Sequence, residues 1–388
     1  MTLVLHSLGV LLGLLSLSGG GFYLVAGLLT LRFFSKSRPQ PLDPAPAISV
    51  LVPVCGLDAG AWQNWSSLCQ QDYPNYEVIF GVQDLSDPAL PVLKDLCQTF
   101  PERARWYFCD ETRGINRKMS NLSQMLPHAH HEVIVLADSD VRVTPGYLRQ
   151  ITAPLADPCI GVVTCGYVDH SPKRLGAAFL AMGRCIDFIP SVLIARFLDG
   201  GLRFAIGPTV VLRREVLETI GGLEIALNQI GDDYRLGYTA WEAGYRVELS
   251  TYVLDNDCSD ESLLKAVERE LRWCRTIRSN RGKQYFGMVF TFGTVYSALL
   301  WGLLPSVWTL TLCLAVQGIR WLQAIVSMIL MGTPRLLLWL WLLPLRDVMS
   351  LVIWLLGCFG NRIYWRGRWL QVHRHGQLQE IIKNSQGE

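Results

Sequence analysis

The amino-terminal apolar run constrains this chain more than any other feature. No Asp, Glu, Lys or Arg occurs from Leu3 to Leu31, and that length exceeds the roughly 20 residues with which an α-helix crosses a bilayer. A cleaved signal peptide would begin with basic residues and have a shorter apolar core. The basic residues instead follow the run, at Arg32, Lys36 and Arg38. This asymmetry predicts a membrane anchor with the cytoplasm on its downstream side.

The composition is typical of a membrane protein that also carries a globular part. Half of the 388 residues are hydrophobic and 18% are charged, whereas about 25% are charged in an average soluble domain. The formal net charge of +2 is too small for a dedicated nucleic-acid-binding protein, so we expect no nucleic acid as a partner. The 11 cysteines are odd in number and form no CxxC pair, which predicts neither a disulfide framework nor a structural zinc site.

Apolar runs and prolines predict five segments. Four prolines between Pro39 and Pro46 end the first helix, and Pro305 interrupts an uncharged run from Phe286 to Ile319, which favours two short spans there over one bent span. The predicted segments are an anchor over 1–34, a proline-rich linker over 35–47, an α/β domain over 48–285, a C-terminal membrane region of two to four spans or re-entrant segments over 286–361, and a basic, polar cytoplasmic tail over 362–388.

Within the α/β domain, three apolar runs predict buried parallel strands: Ile48–Val54, Tyr76–Val82 and Glu132–Ala137. Gln83-Asp84 follows the second run and Asp138-Ser139-Asp140 the third. Ligands bind at the carboxyl edge of open α/β sheets, so both acidic sites are expected to face one crevice. The alternation of strands with helical patterns predicts a Rossmann-like, mainly parallel sheet.

Asp138 and Asp140 are the first candidate metal ligands. Alternate residues of an extended backbone point the same way, and carboxylate oxygens suit Mg²⁺ or Mn²⁺ held against a diphosphate. An aspartate pair at a strand end is also common as a turn or helix cap. The fully apolar core of the preceding strand favours the metal site, because it fixes the pair at a buried sheet edge.

Two further polar motifs are open to two interpretations each. Asp232 and Asp233 precede an apolar, helix-like stretch and could be a helix cap or contain a catalytic base. Arg269 and Arg272 could clamp phosphate oxygens, or belong to a solvated or membrane-surface helix. The histidine cluster at His128, His130 and His131 lacks carboxylates at metal-ligand spacing, which favours a structural role. An apolar stripe accompanies the arginines at Leu264, Val267, Leu271 and Cys274.

The order of these motifs resembles the D, DxD, D, (Q/R)xxRW pattern of processive-type inverting glycosyltransferases with a GT-A fold, and other segments look like the ceramide glucosyltransferase family. The resemblance to that family covers nearly the whole chain. The bacterial hopanoid-biosynthesis branch looks nearest, from LRWCRTIR at Leu271 to Arg278 and PLRD at Pro344 to Asp347. The segments that resemble the ceramide glucosyltransferase family are Val82-Gln83-Asp84, Gly114-Ile115-Asn116 with Lys118 and Asn121-Leu122, and Tyr364-Trp365-Arg366-Gly367-Arg368.

The resemblance implies a GT-A-type cytoplasmic domain flanked by transmembrane helices, with a role for each motif. Asp84 and Lys118 would hold the nucleotide base and ribose. Asp138 and Asp140 would serve the diphosphate and a divalent cation, Mn²⁺ or Mg²⁺. Asp233 would be the catalytic base, with Asp232 as the alternative within the pair. The acceptor-side motif Arg269, Arg272 and Trp273 would contact the pyrophosphate and close the acceptor side.

The implied function is the inverting transfer of a sugar from UDP-glucose or UDP-N-acetylglucosamine to the hydroxyl of a membrane lipid. The lipid would be ceramide-like or a hopanoid. A His-Pro-Arg stretch of the animal ceramide enzymes has no counterpart before Phe204, which weighs against ceramide. The protein would be an integral protein of the plasma (inner) membrane. The alternatives are a processive polysaccharide synthase, for which the membrane part is small, and a non-catalytic membrane scaffold.

Overall fold

The structure is a computed structural model that describes residues 2–36, 40–58, 60–256 and 261–381. The described residues fall into two compact units. The helical unit lies within Met1–Lys36, Val168–Phe197 and Cys258–Asn361, and the sheet unit within Ser37–Tyr167, Leu198–Asp257 and Arg362–Glu388.

The helices and strands are numbered along the chain. The α-helices are α1 (Thr2–Phe34), α2 (Ala61–Cys69), α3 (Leu90–Thr99), α4 (Arg117–Met125), α5 (Tyr147–Thr152), α6 (Leu175–Met182), α7 (Ile189–Leu198), α8 (Arg214–Thr219), α9 (Asp232–Glu242), α10 (Leu263–Arg281), α11 (Lys283–Phe286), α12 (Gly293–Leu303), α13 (Val307–Leu330) and α14 (Leu343–Gly357). The strands are β1 (Ile48–Val54), β2 (Tyr76–Val82), β3 (Ala104–Phe108), β4 (Val133–Ala137), β5 (Val141–Arg142), β6 (Ile160–Val168), β7 (Thr209–Arg213), β8 (Arg246–Asn256), β9 (Arg362–Trp365), β10 (Arg368–Val372) and β11 (Leu378–Glu380).

The sheet unit is built on an eight-stranded sheet with the order β3-β2-β1-β4-β7-β6-β8-β5. Strands β3, β2, β1 and β4 are parallel, and Ile48 pairs with both Tyr76 and Val133. Strand β7 runs antiparallel to β4 and to β6. The parallel half confirms the predicted α/β fold, and the antiparallel half makes the sheet mixed. The carboxyl ends of β1, β2 and β4 lie at one edge, where the sequence places its acidic motifs.

Burial explains which strands could be predicted. All residues of β2 and all of β4 are buried, so β4 appears in the sequence as a continuous apolar run and β2 as an apolar run interrupted by Glu77. Strand β3 was not predicted, because it is an edge strand whose side chains are mostly half-buried or exposed and one of them is the charged Arg105.

The carboxyl-terminal segment differs from the predicted polar tail. Strands β9, β10 and β11 form an antiparallel sheet in the order β11-β10-β9, and its core of Ile363, Leu370, Val372 and Leu378 packs against Ile230 of the sheet unit. The alternate residues of β9 and β10 face outward and are polar or aromatic, which explains the polar average of this segment. We call these three strands the C-terminal sheet.

The helical unit contains the apolar helices. Helix α1 packs against α12 and α13, and α10 packs against α6 and α14. Lys283–Thr291 and Gly293–Leu303 meet at a bend of 51° and could form one further broken span. Pro305 lies in the turn between α12 and α13, in the run for which two short spans were favoured. Within the part of the chain that the structure describes, four helical segments are long and apolar enough to cross a membrane, at Leu3–Phe34, Leu175–Leu198, Val307–Leu330 and Pro334–Gly357.

One of these apolar segments lies within residues 48–285, which the sequence analysis assigned to a single α/β domain. Leu175–Leu198 belongs to the helical unit except for its last residue. It consists of α6, a π-helical turn over Gly183–Phe188 and α7. Arg184 and Asp187 interrupt its apolar sequence, which is why composition alone did not separate it from the globular part.

Small residues allow α1 and α12 to approach closely. A Cβ atom on Gly19 would lie 2.3 Å from the Cα of Gly293, whereas a Cβ on Gly21 would meet nothing within 4 Å. Close contact through glycine is a common way for apolar helices to pack.

We expect Gly19→Ala to lower the melting temperature of the detergent-purified protein, because overpacking against backbone costs about 1–3 kcal/mol. Gly21→Ala is the matched control, since both substitutions bring the same gain in helix propensity. Thermal unfolding of the two variants measures the difference. Equal melting temperatures would contradict the packing of α1 against α12.

Candidate functional site

Lys118 joins two acidic motifs of the sheet unit. Its Nζ lies 2.7 Å from Oδ1 of Asp138, which follows β4, and 3.1 Å from Oδ2 of Asp232, which begins α9. Burial alone would lower the pKa of Lys118, but the carboxylates of Asp138 and Asp232 outweigh it and raise that pKa well above its ordinary value. The lysine therefore stays charged at neutral pH.

Asn116 holds the loop before α4 in place. This fully buried side chain caps α4, because its Oδ1 accepts a hydrogen bond from Met119 N at 3.2 Å. Its Nδ2 donates to the carbonyl of Gln229 at 2.8 Å and to Oδ1 of Asp232 at 3.4 Å. The Gly114-Ile115-Asn116 segment, one of those that resemble the ceramide glucosyltransferase family, is thus bonded to the loop that leads into α9.

Asp233 is held by two backbone amides. Its Oδ2 accepts a hydrogen bond from Gly207 N at 2.7 Å and its Oδ1 accepts one from Tyr234 N at 2.8 Å. Burial and the neighbouring carboxylate of Asp232 raise the pKa of Asp233 to about 6, although Lys118 and the two amides act in the opposite direction. A carboxylate with this pKa is ionised at neutral pH and can still accept a proton, as a general base must.

Gly237 lets α9 approach the segment that supplies one of these amides. A Cβ at this position would lie 2.0 Å from the backbone nitrogen of Ala205. Only glycine fits without moving the 204–207 segment, whose Gly207 amide bonds to Asp233. Neither Gly207 nor Gly237 was predicted as a site residue, since only the fold brings them together.

Asp138 and Asp140 lie at the carboxyl end of β4, as predicted, and both are partly exposed. The backbone N–H of Asp138 donates to the carbonyl of Pro208 at 2.9 Å, which holds the strand end against β7. Among the described residues, no group of three or more His, Cys, Asp or Glu side chains is arranged to hold a metal ion. The two aspartates fit a cation that takes its remaining ligands from a diphosphate and water.

Asp84 and Lys118 were expected to hold the nucleotide base and ribose together, but their surroundings differ. Asp84 is exposed beyond the end of β2, and its Oδ1 accepts hydrogen bonds from Ser86 Oγ at 2.6 Å and Ser86 N at 2.8 Å. These bonds lower the pKa of Asp84. Its position at the carboxyl edge of the sheet agrees with the prediction, and its role stays a prediction.

The acceptor-side motif belongs to the helical unit. Arg269, Arg272 and Trp273 all lie on α10. Arg269 Nη2 is 2.6 Å from Glu261 Oε2, and the guanidinium of Arg184 lies 5.2 Å from the ring centroid of Trp273. The structure therefore assembles Lys118, Asp138, Asp232 and Asp233 in one unit and carries the acceptor-side motif in the other.

The apolar stripe of α10 packs inside the helical unit. Val267, Leu271 and Cys274 contact a core cluster that contains Phe179 of α6 and Ile353 of α14. Of the stripe, Leu264 is 71% exposed. The stripe is therefore mainly a packing surface, which corrects the alternative of a helix lying along the membrane surface.

The C-terminal sheet supports the loops that carry Asn116 and Asp232. Arg368 Nη2 donates to the carbonyl of Ile115 at 2.9 Å, Ile230 N donates to the carbonyl of Gly376 at 2.9 Å, and Leu378 N donates to the carbonyl of Asn228 at 2.8 Å. These strands were not predicted, although the alternation of apolar and polar residues along 362–372 is a sequence pattern that indicates strands.

Comparisons with known proteins agree with this geometry. The model of glycosyl transferase family 21 matches residues 11–378. Ceramide glucosyltransferases 3 and 1 of Caenorhabditis elegans are both 24% identical to the chain, over 59% and 63% of its length. The alignments cover 50% and 52% of those proteins, so the chain spans about half the length of the curated relatives it matches.

A solved structure shows the fold. A mannosyltransferase from Pyrobaculum calidifontis, in complex with GDP-Man and Mn²⁺, superimposes with a TM-score of 0.52 at 18% identity. The match covers 91% of this chain and 97% of that chain. This similarity and the mixed sheet confirm the predicted GT-A-type fold.

We expect Leu370→Ala to loosen the loop before α9. Leu370 is fully buried in the core of the C-terminal sheet, and such a truncation typically costs about 2–5 kcal/mol. Amides of residues 227–232 should then exchange faster in hydrogen–deuterium exchange measured by mass spectrometry.

Trp369→Ala provides the control for this experiment, because Trp369 lies on the same strand with 51% of its surface exposed. It should leave exchange at residues 227–232 unchanged. If Leu370→Ala also leaves it unchanged, the C-terminal sheet does not support this loop.

Proposed function

Because the chain belongs to glycosyl transferase family 21, we propose that it is a membrane-bound glycosyltransferase that moves a hexose from a nucleotide donor to the hydroxyl of a membrane lipid. The resemblance to ceramide glucosyltransferases is confirmed by the family match and the curated relatives. The assignment to the hopanoid branch stays a prediction.

The cluster of Lys118, Asp138, Asp232 and Asp233 is the observation that carries the proposal. It combines a lysine 2.7 Å from Asp138 with a carboxylate whose pKa is raised to about 6, Asp233. Sugar transfer from a nucleotide needs both groups, one at the departing diphosphate and one at the attacking hydroxyl. Carboxylates with a perturbed pKa are concentrated at functional sites.

Asp138 and Asp140 are proposed to hold the divalent cation, Mn²⁺ or Mg²⁺. They supply hard oxygen ligands one residue apart, and the mannosyltransferase of the same fold was solved with Mn²⁺. Bound there, the cation would stabilise the charge that builds on the diphosphate. Lys118 would add a positive charge beside Asp138, and Asp84 would contact the nucleoside from the end of β2.

Asp233 is proposed to be the base. Its two amide bonds fix the carboxylate, whereas Asp232 is held by Lys118 and Asn116, which favours Asp233 within the pair. Asp233 would take the proton from the acceptor hydroxyl as the oxygen attacks the anomeric carbon and the bond to the diphosphate breaks. Direct attack opposite the leaving group inverts that carbon. Arg269, Arg272 and Trp273 are proposed to act on the pyrophosphate and the acceptor.

The substrates are proposed from the relatives and the apolar helices. The curated relatives are named ceramide glucosyltransferases, which favours glucose as the sugar and a ceramide-like lipid as the acceptor, and UDP-glucose is the proposed donor. UDP-N-acetylglucosamine and hopanoids are the competing substrates. Four helices that could cross a membrane support an integral membrane protein, and the basic residues after α1 support a plasma (inner) membrane location with the sheet unit in the cytoplasm.

The test is transfer by the purified full chain in lipid nanodiscs that contain ceramide or a hydroxylated hopanoid. Each nanodisc is incubated with Mn²⁺ and either UDP-glucose or UDP-N-acetylglucosamine, and the lipids are analysed by mass spectrometry. A singly glycosylated lipid is the expected product. A long polymer would indicate a polysaccharide synthase, and failure to bind UDP with Mn²⁺ in calorimetry would indicate a scaffold.

The pH dependence of transfer tests the base. With a pKa of about 6 for Asp233, kcat/KM should fall as the pH drops below about 6, because the protonated carboxyl cannot accept the hydroxyl proton. Lys118→Met removes a charge that lowers this pKa, so the fall of kcat/KM at acid pH should begin at a higher pH in this variant.

Lys94→Met removes an exposed lysine on α3 and should leave the pH at which kcat/KM falls unchanged. If kcat/KM of Lys118→Met falls at the same pH as in the wild type or at a lower pH, the assignment of Asp233 as the base beside Lys118 is contradicted.

Asp140→Asn tests the metal site. The substitution keeps the side-chain volume but removes the charge, so kcat/KM should fall roughly 100-fold or more and UDP affinity should no longer depend on Mn²⁺. Calorimetric titration with and without Mn²⁺ measures the second effect. Asp95→Asn, at an exposed position on α3, is the control. UDP binding by Asp140→Asn that still tightens with Mn²⁺ would remove Asp140 from the metal site.

A further inference from the structure

A continuous series of buried ion pairs crosses the helical unit. We call it the buried charge network, and it consists of Arg320 on α13, Arg346 and Asp347 on α14, Asp187 in the π-helical turn, and Glu270 on α10. The side chains of Arg320 and Arg346 are 2% and 6% exposed. Each buried charge costs several kcal/mol unless it is paired, so the pairing must be nearly complete.

The first half of the network joins α13 to α14. Arg320 Nη2 lies 2.7 Å from Asp347 Oδ1 and 2.6 Å from Asp187 Oδ1. Thr294 Oγ1 on α12 donates to Asp347 Oδ2 at 2.8 Å. This half therefore connects three apolar helices to the π-helical turn.

The second half leads to α10. The other oxygen of Asp187, Oδ2, accepts a hydrogen bond from Arg346 Nε at 3.2 Å. Nη1 of Arg346 lies 2.5 Å from Glu270 Oε1. One planar guanidinium thus bridges the π-helical turn and α10, a geometry that lysine cannot reproduce.

The π-helical turn is shaped around this bridge. A Cβ on Gly183 would lie 2.3 Å from Arg346 Nη2 and 2.8 Å from Glu270 Oε1, so a larger residue would displace the ion pair. The next residue, Arg184, stacks over Trp273 at 5.2 Å. A single π-helical turn therefore contacts α10 at two points, and such turns are frequent at functional sites.

Glu270 is the residue between Arg269 and Leu271, within the acceptor-side motif. We propose that Arg346 and Asp187 are positioning residues that act through Glu270 to fix the rotation of α10, and with it the orientation of Arg269, Arg272 and Trp273 for sugar transfer. The inference rests on the proposed function, because that function gives the acceptor-side motif its role. Stability alone does not account for the network, since well-packed apolar residues are often as stable as a buried ion pair.

Glu270→Gln tests the proposal in the full chain. The substitution keeps the size of the side chain and removes the charge that holds Arg346. We expect kcat to fall roughly tenfold or more, while UDP binding stays stoichiometric and dependent on Mn²⁺, because Asp138 and Asp140 of the sheet unit are not changed.

Asp347→Asn is the matched control. It is the same chemical change at the far end of the network, where Asp347 contacts Arg320 and Thr294 and, among the described residues, forms no ion pair with α10. It should lower the melting temperature at least as much as Glu270→Gln and leave kcat within about twofold of the wild type.

Arg346→Lys is the second test and applies even if Glu270→Gln fails to fold. It keeps the positive charge but cannot bridge Asp187 and Glu270 in the same geometry, so kcat should again fall while UDP binding stays stoichiometric and dependent on Mn²⁺. The proposal is overturned if Glu270→Gln or Arg346→Lys folds with an unchanged kcat, or if kcat of Asp347→Asn falls as far as theirs. A wild-type protein that binds UDP but transfers no sugar would instead overturn the proposed function.

Discussion

One ammonium group, the Nζ of Lys118, makes the acidic cluster of the sheet unit possible. It lies 2.7 Å from Asp138 and 3.1 Å from Asp232, and its charge also lowers the pKa of Asp233. Without a cation at this point, burial and mutual repulsion would drive protons onto the carboxyl groups. A protonated Asp233 could not act as a base, so the proposed chemistry depends on this lysine.

The position of Lys118 depends in turn on backbone that lies far away in the sequence. Its helix begins at the buried cap Asn116, which is bonded to the loop before α9. That loop is hydrogen-bonded to the C-terminal sheet through Ile230 and Leu378. Residues more than 200 positions apart therefore fix the distance between the lysine and the carboxylates, which is why the carboxyl-terminal segment cannot be regarded as a detachable tail.

The elements that could be predicted are those whose burial leaves a simple pattern. The parallel strands β1 and β2 have the predicted bounds because their side chains are almost all buried. The acidic pairs after β4 and at the start of α9 were found because they interrupt apolar runs. Strand β3 and the C-terminal sheet carry exposed residues between their apolar ones, and Leu175–Leu198 carries Arg184 and Asp187. None of these three elements therefore forms an unbroken apolar run.

Contacts made by backbone atoms could not be predicted at all. The amide of Gly207 that bonds to Asp233, and the close approach at Gly237 that permits it, depend on how α9 packs against residues 204–207. No residue type marks a backbone donor, so the sequence located the candidate base but not the group that orients it. The bridge from Arg346 to Glu270 was hidden for a similar reason, since its two members are separated by 76 residues.

The two charged clusters differ in how their carboxylates are paired, and the difference separates their roles. In the sheet unit, one lysine faces three carboxylates, Asp138, Asp232 and Asp233, which leaves two negative charges. Burial and that excess raise the pKa of Asp233, and the excess favours a divalent cation. In the buried charge network, Arg320 and Arg346 alternate with Asp187, Asp347 and Glu270, so each carboxylate has an arginine partner. Carboxylates that each contact an arginine hold helices in register, whereas a cluster in which one lysine serves three carboxylates is suited to exchanging protons and binding cations.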